Sequence, residues 1–461
     1  FDNTVAINLG TTAQTRALTL GGTNTGLNTF SKTITNNGGS ATSLTKNGAG
    51  RWVLDVSNSY SGATTVEDGA LRITHGSALG TTGGITTVNG LSTTSSLEIA
   101  GGISIGESIT LQGNGSASAA NQLVNVSGNN TITANITNTT GGANHSITSL
   151  ADKLTINASI NPNGGSTRSL FLRGAGDGEI TGGYNLSAAA TAPLTKEGTG
   201  TWTLSGTSSY NGTTTITGGT LQIGNGGTTG RLTATSGITN NANLTINRSN
   251  AISQATDLGA GAIISGTGSL TQAGSGTTTL TAANTYSGAT SVNAGTLHLA
   301  SGSTASAITV ASGASLGFTL GTTITSTSTV TLNGGATIKI TGTPSDPSYT
   351  LITAASPITG TPVLDAAVPG YALVVDGNSL KLNSTTPAGF ATWITGTFAN
   401  GTIPGGQQGA NDDPDSDGIS NLLEYAIAGL DPTVSNSSIG TFAGLTLTFT
   451  KRTPLGPDLI Y

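Results

Sequence analysis

Leu44-Thr-Lys46-Asn-Gly48-Ala-Gly50-Arg-Trp52-Val-Leu54, followed by Tyr60-Ser-Gly62-Ala-Thr64-Thr-Val66-Glu-Asp-Gly69-Ala-Leu71-Arg-Ile73, is written three times in this 461-residue chain. The second copy places Leu194, Lys196, Gly198, Gly200, Trp202, Leu204, Tyr210, Gly212, Thr214, Ile216, Gly219, Leu221 and Ile223 each 150 residues after its counterpart. In the third, Leu270, Gly274, Gly276, Leu280, Tyr286, Gly288, Thr290, Val292, Gly295, Leu297 and Leu299 follow after a step of 76. A shared pattern at fixed spacing marks a solenoid, in which each unit buries its apolar face by stacking on its neighbours.

Composition selects the kind of solenoid. Charged residues make up 8% of the chain and aromatic ones 4%, while Gly numbers 70. The long Glu, Lys, Gln and Arg runs that favour helices are missing. Apolar residues instead alternate with Thr or Ser, as in Thr201-Trp202-Thr203-Leu204-Ser205 and Leu244-Thr245-Ile246, between Gly and Asn turns. Such period-two runs predict short strands with one face buried. The expectation is an all-β parallel β-helix, or β-solenoid, over residues 1–343. At roughly 20 to 25 residues per turn and about 4.8 Å between turns, it makes a rod of about 15 turns.

Two further segments follow. Residues 344–385 predict a small antiparallel β cap, because Tyr371 to Val375 and Ser379 to Leu382 flank Asp376-Gly377-Asn378, a hairpin signal. Residues 386–461 predict a calcium-loop helix and then a strand segment. Asp413, Asp415, Asp417, Asn421 and Glu424 fall at loop positions one, three, five, nine and twelve, with Gly418 at six and the Ile419 carbonyl at seven. That spacing, in the EF-hand or dockerin style, offers a hard cation the oxygens it needs, so Ca2+ is expected, with a helix from Ile419 to Ala428.

Other chemistry finds little support. Asp177 and Glu179, near Arg173, form the least scattered acidic group, and they sit in a Gly-rich turn. His75, His145 and His298 are far apart, and no Cys is present, so neither a zinc site nor a disulfide framework is expected. A net charge of −6 without a basic patch argues against nucleic acid, and no 18-residue apolar stretch predicts a membrane span. Trp52, Trp202, Tyr60, Tyr210 and Tyr286 recur at matched positions, which favours a packing slot over sugar stacking. A start at Phe1 rather than Met is expected of a processed form or a segment.

The Leu-Thr-Lys-x-Gly-x-Gly-x-Trp-x-Leu, Tyr-x-Gly-x-Thr and Gly-x-Leu-x-Ile pattern resembles the autotransporter-associated β-strand repeat of large exported bacterial passenger proteins. The stretch from Tyr349 to Tyr425 is similar to the long secreted proteins of Verrucomicrobia that carry such repeats without an outer-membrane barrel. The resemblance implies an extracellular or cell-surface structural protein and no particular reaction. The strand-like ends, Thr4, Val5, Ile7 and Leu9 at one and Leu445, Leu447 and Phe449 at the other, raise the expectation of head-to-tail self-assembly into a calcium-stiffened fibre. The alternatives are a monomeric adhesin passenger binding glycans or surfaces and, behind it, a β-helix polysaccharide lyase or hydrolase.

Overall fold

The computed structural model describes residues 14–90, 92, 94–113, 121–139, 142–185, 191–299, 304–385, 394–395, 402–416, 420–421 and 431–434. These residues are nearly all β and coil into a parallel β-solenoid of about 14 turns. Neighbouring turns stack in register, and a turn takes from 18 residues, as from Thr290 to Ile308, to 28, as from Thr331 to Thr359. The excess is absorbed at corners and loops, so the strands keep their alignment.

Each turn crosses three faces in the same order. Face one begins with the sheet running from Arg16–Leu20 to Ile160–Pro162 and is taken up later by the sheet from Ile252–Ser253 to Val363–Leu364. Face two is the eleven-stranded sheet from Leu27–Phe30 to Ile264–Ser265, continued by the sheet that starts at Thr304–Ala305. Face three is a twelve-stranded sheet from Ser104–Ile105 to Thr359–Gly360.

Alternation sorts the side chains. On face three Leu154, Gly178, Trp202, Leu221, Leu244 and Leu270 form one in-register row, and its leucines and Trp202 are fully or almost fully buried. One residue along, Thr245, Thr271, Ser291, Thr309 and Thr331 form the outer row. Burying each Leu, Ile or Val contributes roughly 1.5–3 kcal/mol, and the inner rows run the length of the coil as one core.

The repeated motif moves round this coil. The first copy lays Thr42–Lys46 and Thr64–Val66 on face one and Arg51–Leu54 and Ala70–Ile73 on face two. From Leu44 the column of face one passes through Thr64, Thr86, Ile109, Ile136 and Ile160 to Tyr184, six turns on, and Leu194 lies one face further. The second copy therefore starts on face two. From Leu194 the chain passes Thr214, Ile238 and Ile264, three turns, before Leu270 opens the third copy on face three. Successive copies are rotated by one face, which spreads their landmarks around the rod instead of along a strip.

Glycine fixes the corner that all copies share. Gly69, Gly219 and Gly295 have φ of +65°, +62° and +59°, and a Cβ at any of them would overlap two backbone carbonyl oxygens of the turn below. At the C-terminal end, face two turns antiparallel: Ser348–Ala354 pairs with Ser379–Ser384, which pairs with Tyr371–Asp376. This hairpin lies where the Asp376-Gly377-Asn378 signal placed it. Parallel stacking nonetheless continues past residue 343, because faces three and one add Thr359–Gly360 and Val363–Leu364. Among the described residues helix is confined to short pieces, such as the single turn Gln254–Asp257.

Candidate functional site

Lys46 shares the parity of Leu44, so the alternation that buries the leucine also turns an ammonium group inward. Lys196 repeats the arrangement, and both lysines are fully buried. Lys196 Nζ donates to the carbonyl oxygens of Glu197 at 2.8 Å, Gly198 at 2.9 Å and Gly218 at 2.9 Å. Lys46 Nζ donates to those of Asn47, Gly48 and Asp68 at 2.9, 2.6 and 2.8 Å. Gly218 and Asp68 belong to the following turn, so each lysine ties two turns together. Burial draws the Lys196 pKa down to about 8 while Asp177 and Glu197 oppose it. Three acceptors for three N–H groups keep the ammonium form satisfied. The third copy uses Gln272, whose Nε2 donates to the carbonyls of Gly274 and Gly276 and whose Oε1 accepts from the Thr278 hydroxyl.

The aromatic residues are equally committed. Tyr60, Tyr210 and Tyr286 are fully buried, and their hydroxyls bond Thr64, Thr214 and Thr290 at 2.6, 2.6 and 2.7 Å. Burial pushes all three phenols upward, Tyr286 to about 12. Trp202 is fully buried against Gly178 and donates to the Arg173 carbonyl at 3.1 Å. Trp52, whose neighbour in register is Asn28 rather than Gly, stays half-buried and donates to the Gly21 carbonyl. These slots are packing positions, as their recurrence predicted.

The acidic residues near Arg173 do not converge on a common point. Asp177 Oδ1 accepts from the Thr201 amide at 2.8 Å. Glu179 accepts from Lys153 Nζ at 2.6 Å, Ser205 Oγ at 2.6 Å and Asn225 Nδ2 at 3.0 Å. Burial alone would raise its pKa, and those bonds hold it low instead. Arg173 pairs with Glu197 at 2.8 Å and lies over the Phe171 ring, 4.7 Å from its centroid. Each group is tied into the wall of the solenoid.

The histidines are likewise separate. His75 Nδ1 accepts from the Ser77 amide, and His298 Nε2 lies 3.3 Å from the Thr319 hydroxyl. His145 is 1% exposed, with Nε2 3.1 Å from the Thr139 carbonyl and Nδ1 3.4 Å from that of Ser169. Burial pulls its pKa down to about 4, opposed by those carbonyls. The native chain therefore stays neutral at His145 while the unfolded chain takes up a proton near 6.5, so this contribution to stability is lost as pH falls from about 6.5 to 4. Full development of the shift is worth about 3 kcal/mol. Urea midpoints at pH 7 and pH 4.5 are expected to separate more for the wild type than for His145→Gln; equal separations would refute the assignment.

Of the calcium loop, Asp413, Asp415 and Asn421 are described, whereas Asp417, Ile419 and Glu424 lie outside the described residues, as does most of the helix expected from Ile419 to Ala428. Asp413 and Asp415 are half-buried. Asn421 is fully buried; its backbone amide donates to the Asp412 carbonyl at 2.9 Å, and Nδ2 donates to the carbonyls of Gln407 and Gly409, both at 2.9 Å. Among the described residues its Oδ1 is buried without a hydrogen-bond partner. A partnerless amide oxygen is one ligand of the kind a hard cation takes. Among the described residues no three His, Cys, Asp or Glu side chains gather to hold a metal. The expected assembly residues Thr4, Val5, Ile7, Leu9, Leu445, Leu447 and Phe449 lie outside the described residues.

Fold and motif together define a repeat-built β-solenoid whose landmark residues are internal. The three copies match the family model described as Passenger-associated-transport-repeat, at residues 44–73, 194–223 and 270–299. Over 87 residues, 19% of this chain, the sequence is 40% identical to the protein named Adhesin BmaC autotransporter of Brucella suis biovar 1 (strain 1330). The match spans 2% of that protein's length. No solved structure matches the chain.

The role of Lys46 and Lys196 went unread in the sequence although both residues stand in the motif. The signal was available: a lysine at the parity of buried leucines must point inward and needs acceptors there.

Proposed function

We propose that this chain is a rigid, non-catalytic segment of an exported bacterial surface protein, in which the repeats build the rod and the outer rows make adhesive contact. The observation that carries this reading is the inward commitment of the repeated residues: Lys46, Lys196, Trp202 and the three tyrosines are fully buried. One outward column is small and uncharged, Thr19, Thr45, Thr65, Thr87, Thr110 and Thr137 of face one. The likeness to a protein named an adhesin and autotransporter supports surface location and contact. Beads coated with the purified chain are expected to bind host cells or glycan-coated surfaces above the level of uncoated beads. Equal binding would remove adhesion and leave a spacer.

Calcium at Asp413, Asp415, Asp417, the Ile419 carbonyl, Asn421 and Glu424 is the second part of the proposal, favoured by the orphaned Asn421 Oδ1. A head-to-tail fibre stiffened by that ion is the alternative assembly. In its favour, faces three and one end in the parallel strands Thr359–Gly360 and Val363–Leu364, and Val363 is 55% exposed. Electron microscopy with calcium and then with chelator decides it: filaments that come apart without calcium support the fibre, and isolated rods under both conditions refute it.

A further inference from the structure

Glu107 is a carboxyl group that no interaction above employs. It precedes Ser108–Gln112 at the corner onto face one, two residues before Ile109. The register Thr64, Thr86, Ile109 therefore stacks Glu107 on Gly84 and Gly84 on Gly62. Glu107 is 3% exposed; Oε1 accepts from the Thr86 hydroxyl at 2.8 Å, and among the described residues Oε2 is buried without a hydrogen-bond partner.

Gly84 separates this carboxyl from two backbone carbonyls of the neighbouring turns. The position a Cβ would take on Gly84 lies 2.9 Å from the Gly62 carbonyl oxygen, 3.4 Å from Glu107 Oε1 and 3.5 Å from the Thr81 carbonyl oxygen. The titratable group facing this carboxyl is Tyr60, whose phenol is held neutral by burial and is bonded to Thr64. Carbonyl oxygens repel a carboxylate and accept a hydrogen bond from a carboxylic acid. At the corresponding corners of the second and third copies Ala262 and Ser328 stand in place of Glu107, so the feature is confined to the first.

We propose that Glu107 is a proton-operated latch on the N-terminal turns. As a carboxylic acid it carries its proton on the buried Oε2, sits neutral against the Gly62–Gly84 notch and holds the turn beginning at Ser108 onto the two before it. When that proton leaves to solvent, the notch is left with an anion served by one donor, and these turns loosen.

Burial pushes the Glu107 pKa up to about 7 from an ordinary 4.5, with the Thr86 bond pulling the other way. The folded chain then holds a proton that the unfolded chain has released, so stability falls as pH rises from about 4.5 to 7. A shift of that size corresponds to roughly 300-fold in the local unfolding equilibrium. His145 acts in the opposite sense, so the latch is read as a difference between proteins rather than from one profile.

The test compares the full chain with Glu107→Gln, which keeps the shape and cannot ionise, by hydrogen exchange of the Ser108–Gln112 amides from pH 4.5 to pH 8.5 after correction for intrinsic rates. The latch predicts opening of these amides in the wild type that grows up to about 300-fold relative to the variant as pH rises, and similar opening at pH 4.5. Parallel profiles would overturn it. So would a variant that opens more than the wild type at pH 8, above all if calcium or sodium chloride protects the wild type alone, since Glu107 would then be an anion holding a cation. Should the variant fail to fold, carbon NMR of the wild-type Glu107 carboxyl decides: an apparent pKa near 7 supports the latch and one near 4.5 overturns it.

Discussion

Lys196→Met is expected to destabilise the turns around the second repeat by about 2–3 kcal/mol, because three carbonyl oxygens at a partly buried corner lose their charged donor at once. Methionine fills much of the space, so the loss reports hydrogen bonding rather than a cavity. Lys196→Gln supplies the control. The third copy uses glutamine at this place and satisfies two carbonyls with it, so that variant is expected to lose about half as much. Stability in a solenoid is close to a sum of neighbouring turns. The damage should therefore appear as faster amide exchange in Leu194–Lys196 and Thr214–Ile216, with Ser315–Thr319 unaffected. A methionine variant as stable as the wild type would show that the lysine is a buried liability and not a tie between turns.

The second large effect concerns Gly178. A Cβ there would overlap the six-membered ring of Trp202, which is fully buried in the next turn. Neither partner can give way easily: one is strand backbone paired on both sides, and the other is an indole fixed by its bond to the Arg173 carbonyl. Gly178→Ala is expected to cost about 3 kcal/mol by overpacking. The cost should largely vanish in a Trp202→Leu background, where the smaller side chain leaves room, giving a coupling of about 2 kcal/mol in a double-mutant cycle. Additive losses in the two variants would separate the glycine from the indole and contradict the packing described. The first repeat already displays the compromise, for Asn28 stands where the second has Gly178 and Trp52 is correspondingly half-exposed.

Much of this architecture was legible in the sequence because each part has a local signature. The spacing of Tyr60, Tyr210 and Tyr286 marked equivalent slots, and Thr-Leu alternation marked strands with one buried face. Asp376-Gly377-Asn378 marked the hairpin, since Gly377 adopts φ of +56° there. The rotation of the copies was not legible. It depends on how many residues each intervening turn spends on corners and loops, between 18 and 28, which periodicity alone does not set.

Contacts that join distant loops escaped for a similar reason. Arg248 is 4% exposed and donates to the carbonyls of Gly230 and Thr228, while Asp257 pairs with both Arg231 and Arg248. These residues meet only because the turns stack. Glu107 escaped as well, since its consequence arises from Gly62 and Gly84, which look like ordinary turn glycines in the chain. Asp177, Glu179 and Arg173 show the converse: they are close in sequence, yet alternation and stacking send each to a different partner.

The three repeats are turns of one three-sided coil, each copy set one face beyond the last. Introduced cysteine pairs test it in a chain that has no cysteine of its own. Neighbouring parallel strands bring in-register Cα atoms to about 4.8 Å, within disulfide range. Thr245 and Thr271 are such partners, so the column of the second repeat's later strand becomes that of the third repeat's first strand. Thr245→Cys with Thr271→Cys is expected to close to near completion under mild oxidation, while Thr239→Cys with Thr271→Cys stays reduced. Closure of the second pair and not the first would stack the copies on a common face and contradict the rotation.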